Sequence, residues 1–296
     1  MKKMHGVITA MVTPFTSNDK IDIDTLIAYT NYLIEHKVHC LYPCGTTGEM
    51  LKMSADERKL VAETVIKAAA NRIPVYIHVG TMTTKETVEL ARHAEKTGAD
   101  GIGVVTPQFF GVNEREMEEY FVQAANSVSP EMPVYLYCIP QCAANDLSPA
   151  VIERILKRTK NVVGVKYSYP DFLRVKDYLL CNDGKFSVVV GADRLFLPGL
   201  AMGCDGTVSG CSNVAPEYFV KVYDEFNKGD IDAAQKAQAL ASSLCEIVKN
   251  GSNMAIFKYA MERRGLPAAY MRAPALDLTD SERKKLDSEL SAFFKA

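Results

Sequence analysis

Short, nearly continuous apolar runs recur along the first two-thirds of the chain, and a stretch of helical period follows almost every one. This alternation restricts the fold more than any other feature. The first run, Gly6-Val7-Ile8-Thr9-Ala10-Met11-Val12-Thr13, stops at Pro14 and reads as a buried strand. Asp22 or Asp24 can cap the next helix, with Leu26, Ile27, Tyr29, Leu33 and Ile34 on its apolar face. Cys40-Leu41-Tyr42-Pro43 is a second strand, and Ser54-Ala55-Asp56-Glu57 fits a capping box opening a helix to about residue 71. Further strands are predicted at 74–79, 101–105, 134–137, 162–167, 186–191 and 206–209. Helices are predicted at 84–97, 114–128, 148–157, 171–180 and 195–202.

Strands that are apolar throughout, rather than on alternate residues, belong to a parallel sheet covered by helices. Eight such units within about 210 residues indicate a closed (β/α)8 barrel of the TIM type. A doubly wound open sheet is the second choice. From Pro216 onward only helical patterns remain, at 217–227, 231–249, 253–264 and 281–294. The expected organisation is a catalytic barrel over 1–215 and a helical appendage over 216–296, packed on the barrel.

The formal net charge of -2 gives no basic surface for nucleic acid or an acidic membrane. The start lacks the apolar stretch of a signal peptide, and no run is long enough to span a bilayer. With eight cysteines in 296 residues, the chain is not a small disulfide framework, and a reducing, cytoplasmic compartment is expected. Cys40/Cys44 and Cys138/Cys142 would each stand roughly 13 Å apart on an extended strand, too far to ligate one zinc ion. They are read as buried, inert thiols. His5, His36, His39, His78 and His93 show no metal-ligand spacing, so core or surface roles are expected. Gly101-x-Gly103 lies in a strand and lacks the continuation of a dinucleotide fingerprint.

One lysine stands apart. Lys166 ends Val162-Val163-Gly164-Val165-Lys166-Tyr167, a strand buried on both sides. Desolvation disfavours an ammonium there, and the neutral amine is the form that attacks a carbonyl to give an imine. The carboxyl end of a barrel strand is also where such barrels carry their active sites. A lysine paired with a carboxylate, or reaching out to solvent, is the plainer alternative. Gly45-Thr46-Thr47-Gly48-Glu49, after the second strand, makes a tight turn whose backbone N–H groups and hydroxyls suit a carboxylate. Tyr137 ends the fifth strand with a phenol able to move protons.

In these segments the chain resembles the dihydrodipicolinate synthase and N-acetylneuraminate lyase family of pyruvate-dependent aldolases. The likeness runs through Gly6–Phe15, 45–49, Val104-Val105-Thr106-Pro107, Tyr135-Leu136-Tyr137-Cys138-Ile139-Pro140, Gly164-Val165-Lys166, Gly191-Ala192-Asp193 and Gly206-Thr207-Val208-Ser209. The resemblance implies an imine between Lys166 and a 2-oxo acid, with Tyr137 passing protons. It implies that Thr46 and Thr47, on the Gly45 turn, hold the acid's carboxylate, Thr46 also linking to Tyr137. Gly191 and Val208 would line the pocket. It implies a homotetramer that uses no metal or organic cofactor.

Three departures bear on the second substrate. Phe109 stands where the synthase pattern has a relay tyrosine, and Cys142 where it has a substrate-anchoring arginine. Tyr167-Ser168-Tyr169 follows the lysine where Glu-Ala is usual. No neutral side chain replaces a bidentate guanidinium for a carboxylate. In the lyase branch, the positions of Ser168 and Asp193 bind sugar-chain hydroxyls, and Gly-Leu-Pro at 265–267 is similar to members acting on 2-keto-3-deoxy sugar acids. The expected reaction is reversible cleavage of a hydroxylated 2-oxo acid to pyruvate and an aldehyde, with Arg194 taking over carboxylate binding. The alternatives are condensation of pyruvate with aspartate semialdehyde, or a non-catalytic barrel that binds a 2-oxo acid.

Overall fold

A computed structural model describes residues 3–295. Eight strands alternate with helices: β1 (Gly6–Ala10), β2 (Cys40–Tyr42), β3 (Tyr76–His78), β4 (Gly101–Val105), β5 (Val134–Cys138), β6 (Val162–Tyr167), β7 (Ser187–Val190) and β8 (Gly206–Ser209). All pair in parallel in the order β2-β1-β8-β7-β6-β5-β4-β3. A parallel bridge between Leu41 and Val75 joins the two ends of that order. The fold is a (β/α)8 barrel, with no doubly wound sheet.

The helices between strands are α1 (Ile23–Glu35), α2 (Ala55–Ala69), α3 (Thr84–Lys96), α4 (Glu114–Ala125), α5 (Pro140–Ala143), α6 (Pro149–Arg158), α7 (Phe172–Gly184) and α8 (Phe196–Met202). After β8 come α9 (Pro216–Asn227), α10 (Ile231–Ile247), α11 (Met254–Arg263) and α12 (Asp280–Lys295). Their starts obey local chemistry. Asp22, not Asp24, caps α1 by accepting from the Thr25 N–H, and Ser54 with Glu57 closes a full capping box on α2. In α7 the helical backbone breaks at Cys181, where the helical pattern in the sequence also ends.

The first strand is shorter than its apolar run. Beyond Ala10, the Val12 N–H donates to the Asn213 side chain (3.1 Å) instead of a neighbouring strand, so the ladder stops. The short helix α5 has no counterpart in the sequence-based reading, because four residues carry too little periodicity.

Ile8, Tyr42, Tyr76, Tyr135, Val189 and Val208 fill the barrel interior, while a larger core lies between the strands and the helices. Large aromatic rings fit the interior because β4 offers notches. A Cβ on Gly103 would lie 1.8 Å from the Tyr42 hydroxyl, and one on Gly101 would lie 2.2 Å from the Tyr76 ring. The Gly-x-Gly of β4 therefore makes room for tyrosines. At the amino-terminal mouth, Met4 donates its N–H to the Tyr135 hydroxyl (3.0 Å), which also bonds Ser187 (2.7 Å). That end is sealed, and chemistry is left to the carboxyl ends of the strands. Among the described residues, no helix is long and apolar enough to cross a membrane.

The segment between α11 and α12 reaches back over the barrel. Arg272 bonds Glu57 through two nitrogens (2.8 and 2.9 Å), Asp19 (2.6 Å) and the Lys52 carbonyl (2.6 Å). Its guanidinium also lies 4.3 Å over the Phe15 ring. Charge-assisted, forked bonds of this kind are among the stronger ones available, and they hold the loops after β1 and β2 in place.

Candidate active site

Lys166 and Tyr137 are direct register partners on β6 and β5, so adjacent strands deliver both side chains to one level of the barrel. Lys166 is 4% exposed. Its Nζ lies 3.9 Å from the centre of the Tyr137 ring and 5.1 Å from that of Tyr42. No ion pair of Lys166 occurs among the described residues; its amino group lies against the faces of two tyrosines. The plainer reading, a lysine paired with a carboxylate, does not hold.

The Tyr137 hydroxyl stands 3.3 Å from the Thr46 hydroxyl, so the strand-end phenol and the Gly45–Glu49 turn are in contact. That turn is tightly built. Glu49 donates its N–H to the Thr46 carbonyl (3.0 Å), and Thr13 bonds the Gly48 carbonyl (2.8 Å). A side chain at Gly48 would press on three backbone atoms at 3.1–3.3 Å. Glu49, in a left-handed conformation (φ 58°), turns its carboxylate into the protein. There it meets Lys258 of α11 (2.7 Å) and Lys52 (2.6 Å). Lys258 also donates to the Tyr270 carbonyl (2.8 Å). A buried ion pair thus ties the threonine turn to the C-terminal helices, a tie that sequence reading missed because its partners lie 209 residues apart.

His78 was expected to be a core or surface residue. It is buried at the end of β3, with its ring edge-on to Tyr137 at 5.9 Å. Its Nδ1 bonds the Cys44 carbonyl (3.0 Å), which requires the proton on Nδ1 and leaves Nε2 a lone-pair acceptor. Burial lowers its pKa well below the usual histidine value, and the charges of Arg58 and Lys166 push the same way. Arg58, itself buried, donates to the His78 and Gly80 carbonyls (2.8 and 3.1 Å) and fixes the end of β3 beneath the site.

Beside these strand ends opens a cavity of about 540 Å³, lined by Gln141, Ser168, Gly191, Asp193, Arg194 and Ser242 among others. That is the size of small-molecule sites. Ser168, Gly191, Asp193 and Arg194 therefore line one cavity. Lys166, Tyr137, Thr46, Thr47 and Gly45 are not among its lining residues, and Val208 packs with Ile8 and Val189 in the barrel interior. Gly191 leaves room for Ser168: a Cβ there would lie 1.8 Å from the serine hydroxyl. Burial raises the Asp193 carboxyl, opposed by contacts from Cys211 and Ser209 and by the charge of Lys166. Arg194 pairs with Glu246 of α10 (2.9 Å) while half-exposed. Gln141, Ser242 and Asn250, which sequence reading did not single out, complete the rim.

Two departures are now placed. Phe109 and Phe110 are exposed and edge-on to each other at 5.0 Å. Cys142 is exposed on α5, which corrects the expectation of a buried thiol: the residues after Pro140 turn into a surface helix and carry it out of the core. Cys40, Cys44 and Cys138 are buried as expected.

A buried lysine, a phenol and a hydroxyl thus meet at the carboxyl-terminal end of the barrel. The model of the dihydrodipicolinate synthetase family matches residues 3–293, and this chain belongs to that family of pyruvate-using lyases and synthases. A 4-hydroxy-tetrahydrodipicolinate synthase of Brucella abortus is 34% identical over 284 residues, 96% of each chain. The structure of YagE, a prophage protein of the same family from E. coli K12 in complex with pyruvate, superposes with a TM-score of 0.93 at 28% identity, covering 99% of both chains. CdNal from Clostridium difficile in complex with mannosamine gives 0.93 at 25% identity, covering 99% of this chain and 100% of that one.

Proposed function

We propose that this protein cleaves a hydroxylated 2-oxo acid, such as a 2-keto-3-deoxy sugar acid, reversibly to pyruvate and an aldehyde through an imine on Lys166. The observation that carries the reading is the buried Lys166, without an ion pair among the described residues, set against Tyr137, which in turn contacts Thr46. An amine held among aromatic faces needs no carboxylate to leave before it attacks a carbonyl. Thr46 and Thr47 hold the acid's carboxylate. Tyr137 carries a proton away from the attacking amine and back to the departing water.

Once formed, the protonated imine withdraws electrons from C3. Supplying the proton for the departing water leaves Tyr137 a phenolate. In the cleavage direction it takes the C4 hydroxyl proton as the C3–C4 bond breaks, the bond's electrons enter the enamine and the aldehyde leaves. C3 is then protonated, and water hydrolyses the imine to release pyruvate and the Lys166 amine. A fixed positive charge where negative charge develops is the largest single contribution such a site offers. The imine supplies this without a metal or organic cofactor.

Polar side chains on the cavity wall favour a hydroxylated substrate over aspartate semialdehyde. Ser168, Asp193, Gln141 and Ser242 offer donors and acceptors to hydroxyls, and Cys142 brings no cation to a second carboxylate. Arg194, freed from Glu246, can meet an anionic end of a sugar acid. The protein acts as a homotetramer in the cytoplasm, with 1–215 as the catalytic unit and 216–296 as its appendage.

Borohydride reduction in the presence of pyruvate, read by intact mass, tests the chemistry. The expected result is one reduced pyruvyl adduct on the wild type and none on Lys166→Ala. Absence of the adduct on the wild type would remove the imine, and with it the cleavage reaction.

A further inference from the structure

Behind the cavity wall, three potential metal ligands converge from three separate elements. Asp193 follows β7, Cys211 follows β8, and Cys245 lies on α10. One ligand atom from each lies within 4.8 Å of the other two. Both thiols are buried, at 2% and 0% exposure. Of the carboxylate oxygens, Oδ2 accepts the Cys211 N–H (3.1 Å). Oδ1 is sealed from solvent and has no hydrogen-bond partner. A buried carboxylate oxygen without a partner is costly, and two thiols beside it offer only weak donors.

We infer that Asp193, Cys211 and Cys245 form a binding site for a thiophilic divalent cation such as zinc. In a tetrahedral zinc site, Zn–S bonds of about 2.3 Å and Zn–O bonds of about 2.1 Å put the ligand atoms roughly 3.5–3.8 Å apart. Only small side-chain shifts separate the present cluster from that geometry. Two sulfurs select zinc or cadmium over magnesium or calcium, which want oxygen. Three protein ligands leave the fourth position open, as in metal sites that exchange a water. Asp193 itself lines the cavity, and so does Ser242, three residues before Cys245 on the same helix.

Binding displaces one proton from each thiol, since the thiolate is the ligand form. The loaded site holds the cation, two thiolates and one carboxylate. It also takes Asp193 out of use for substrate hydroxyls. On the reading given under Proposed function, zinc therefore inhibits cleavage in competition with the hydroxylated 2-oxo acid.

The test is a cadmium titration of the full chain, reduced with a phosphine, in a Cys142→Ser background that removes the exposed thiol. A thiolate-to-cadmium absorption band should grow and saturate at one ion per chain. Cys211→Ala and Cys245→Ala should each abolish the saturating band. Asp193→Asn should weaken binding by about tenfold or more, on the scale of lost metal-site groups. Circular dichroism and a cooperative melt establish that each variant is folded. No band on the parent protein, a band that survives loss of both thiols, or unchanged affinity in Asp193→Asn would overturn the site. The pyruvate adduct on metal-free protein is measured alongside. Its absence with cadmium still bound would sink the proposed reaction and leave the metal site standing.

Discussion

Replacing Lys258 with methionine tests whether the threonine turn depends on the C-terminal helices. Lys258 is 1% exposed, pairs with Glu49 at 2.7 Å and donates to the Tyr270 carbonyl at 2.8 Å. Methionine keeps most of the stem's packing, including its place near Phe15, and removes the charge. Breaking a buried pair by deleting one partner costs about 3–5 kcal/mol, because the remaining charge stays buried. Lys52 still holds the second Glu49 oxygen at 2.6 Å, which argues for the low end, about 3 kcal/mol. That is about a hundredfold in the folding equilibrium. Urea unfolding followed by circular dichroism reads it directly. The double variant Glu49→Gln/Lys258→Met should lose less than the sum of the two single variants, since neither leaves a charge behind for the other. A Lys258→Met cost below about 1 kcal/mol would refute the account, because it would mean that the pair behaves like a surface contact.

Other outcomes follow from the same geometry. Tyr137→Phe keeps the ring under Lys166 but removes the hydroxyl near Thr46. It should lower kcat by about 10²–10⁴-fold, the range for a lost proton-transfer group, with the fold unchanged in a melt; a change under tenfold would deny it the role. His78 has its pKa depressed by burial and by the Arg58 and Lys166 charges, so between that value and the unfolded value of about 6.5 only the unfolded chain takes up the proton. Its contribution is present above pH ~6.5 and is lost as pH falls, with a slope of about 1.4 kcal/mol per pH unit. Urea midpoints at several pH values should show that slope reduced in His78→Gln, and parallel curves would count against it. Of the eight cysteines only Cys142 is exposed, so a thiol reagent should modify one site in the native chain and none in Cys142→Ser. Rapid modification of more than one would contradict the burial described.

Much of this protein was legible along the chain, because a helix-covered parallel barrel imposes a local signature on every unit. Apolar runs without alternation marked the strands, capping residues marked helix starts, and the lysine at the end of β6 was conspicuous for its charge. Tyr137 and the Gly45–Glu49 turn were legible for the same reason: their chemistry and their strand-end positions are written locally. What the chain could not reveal were meetings between distant residues. Glu49 with Lys258, Arg272 with Glu57 and Asp19, and Asp193 with Cys211 and Cys245 are brought together by barrel closure and by the return of the C-terminal segment. No periodicity encodes them. The misreading of Cys142 has a similar origin, since four residues of helix after Pro140 leave too faint a pattern to show that the chain has turned outward. Sequence alone thus determined the barrel and the buried lysine at the end of β6, as consequences of local burial and strand order. Only tertiary structure decided which buried charges and thiols face one another, because that depends on closing the barrel and folding α10 and α11 back against its carboxyl-terminal face.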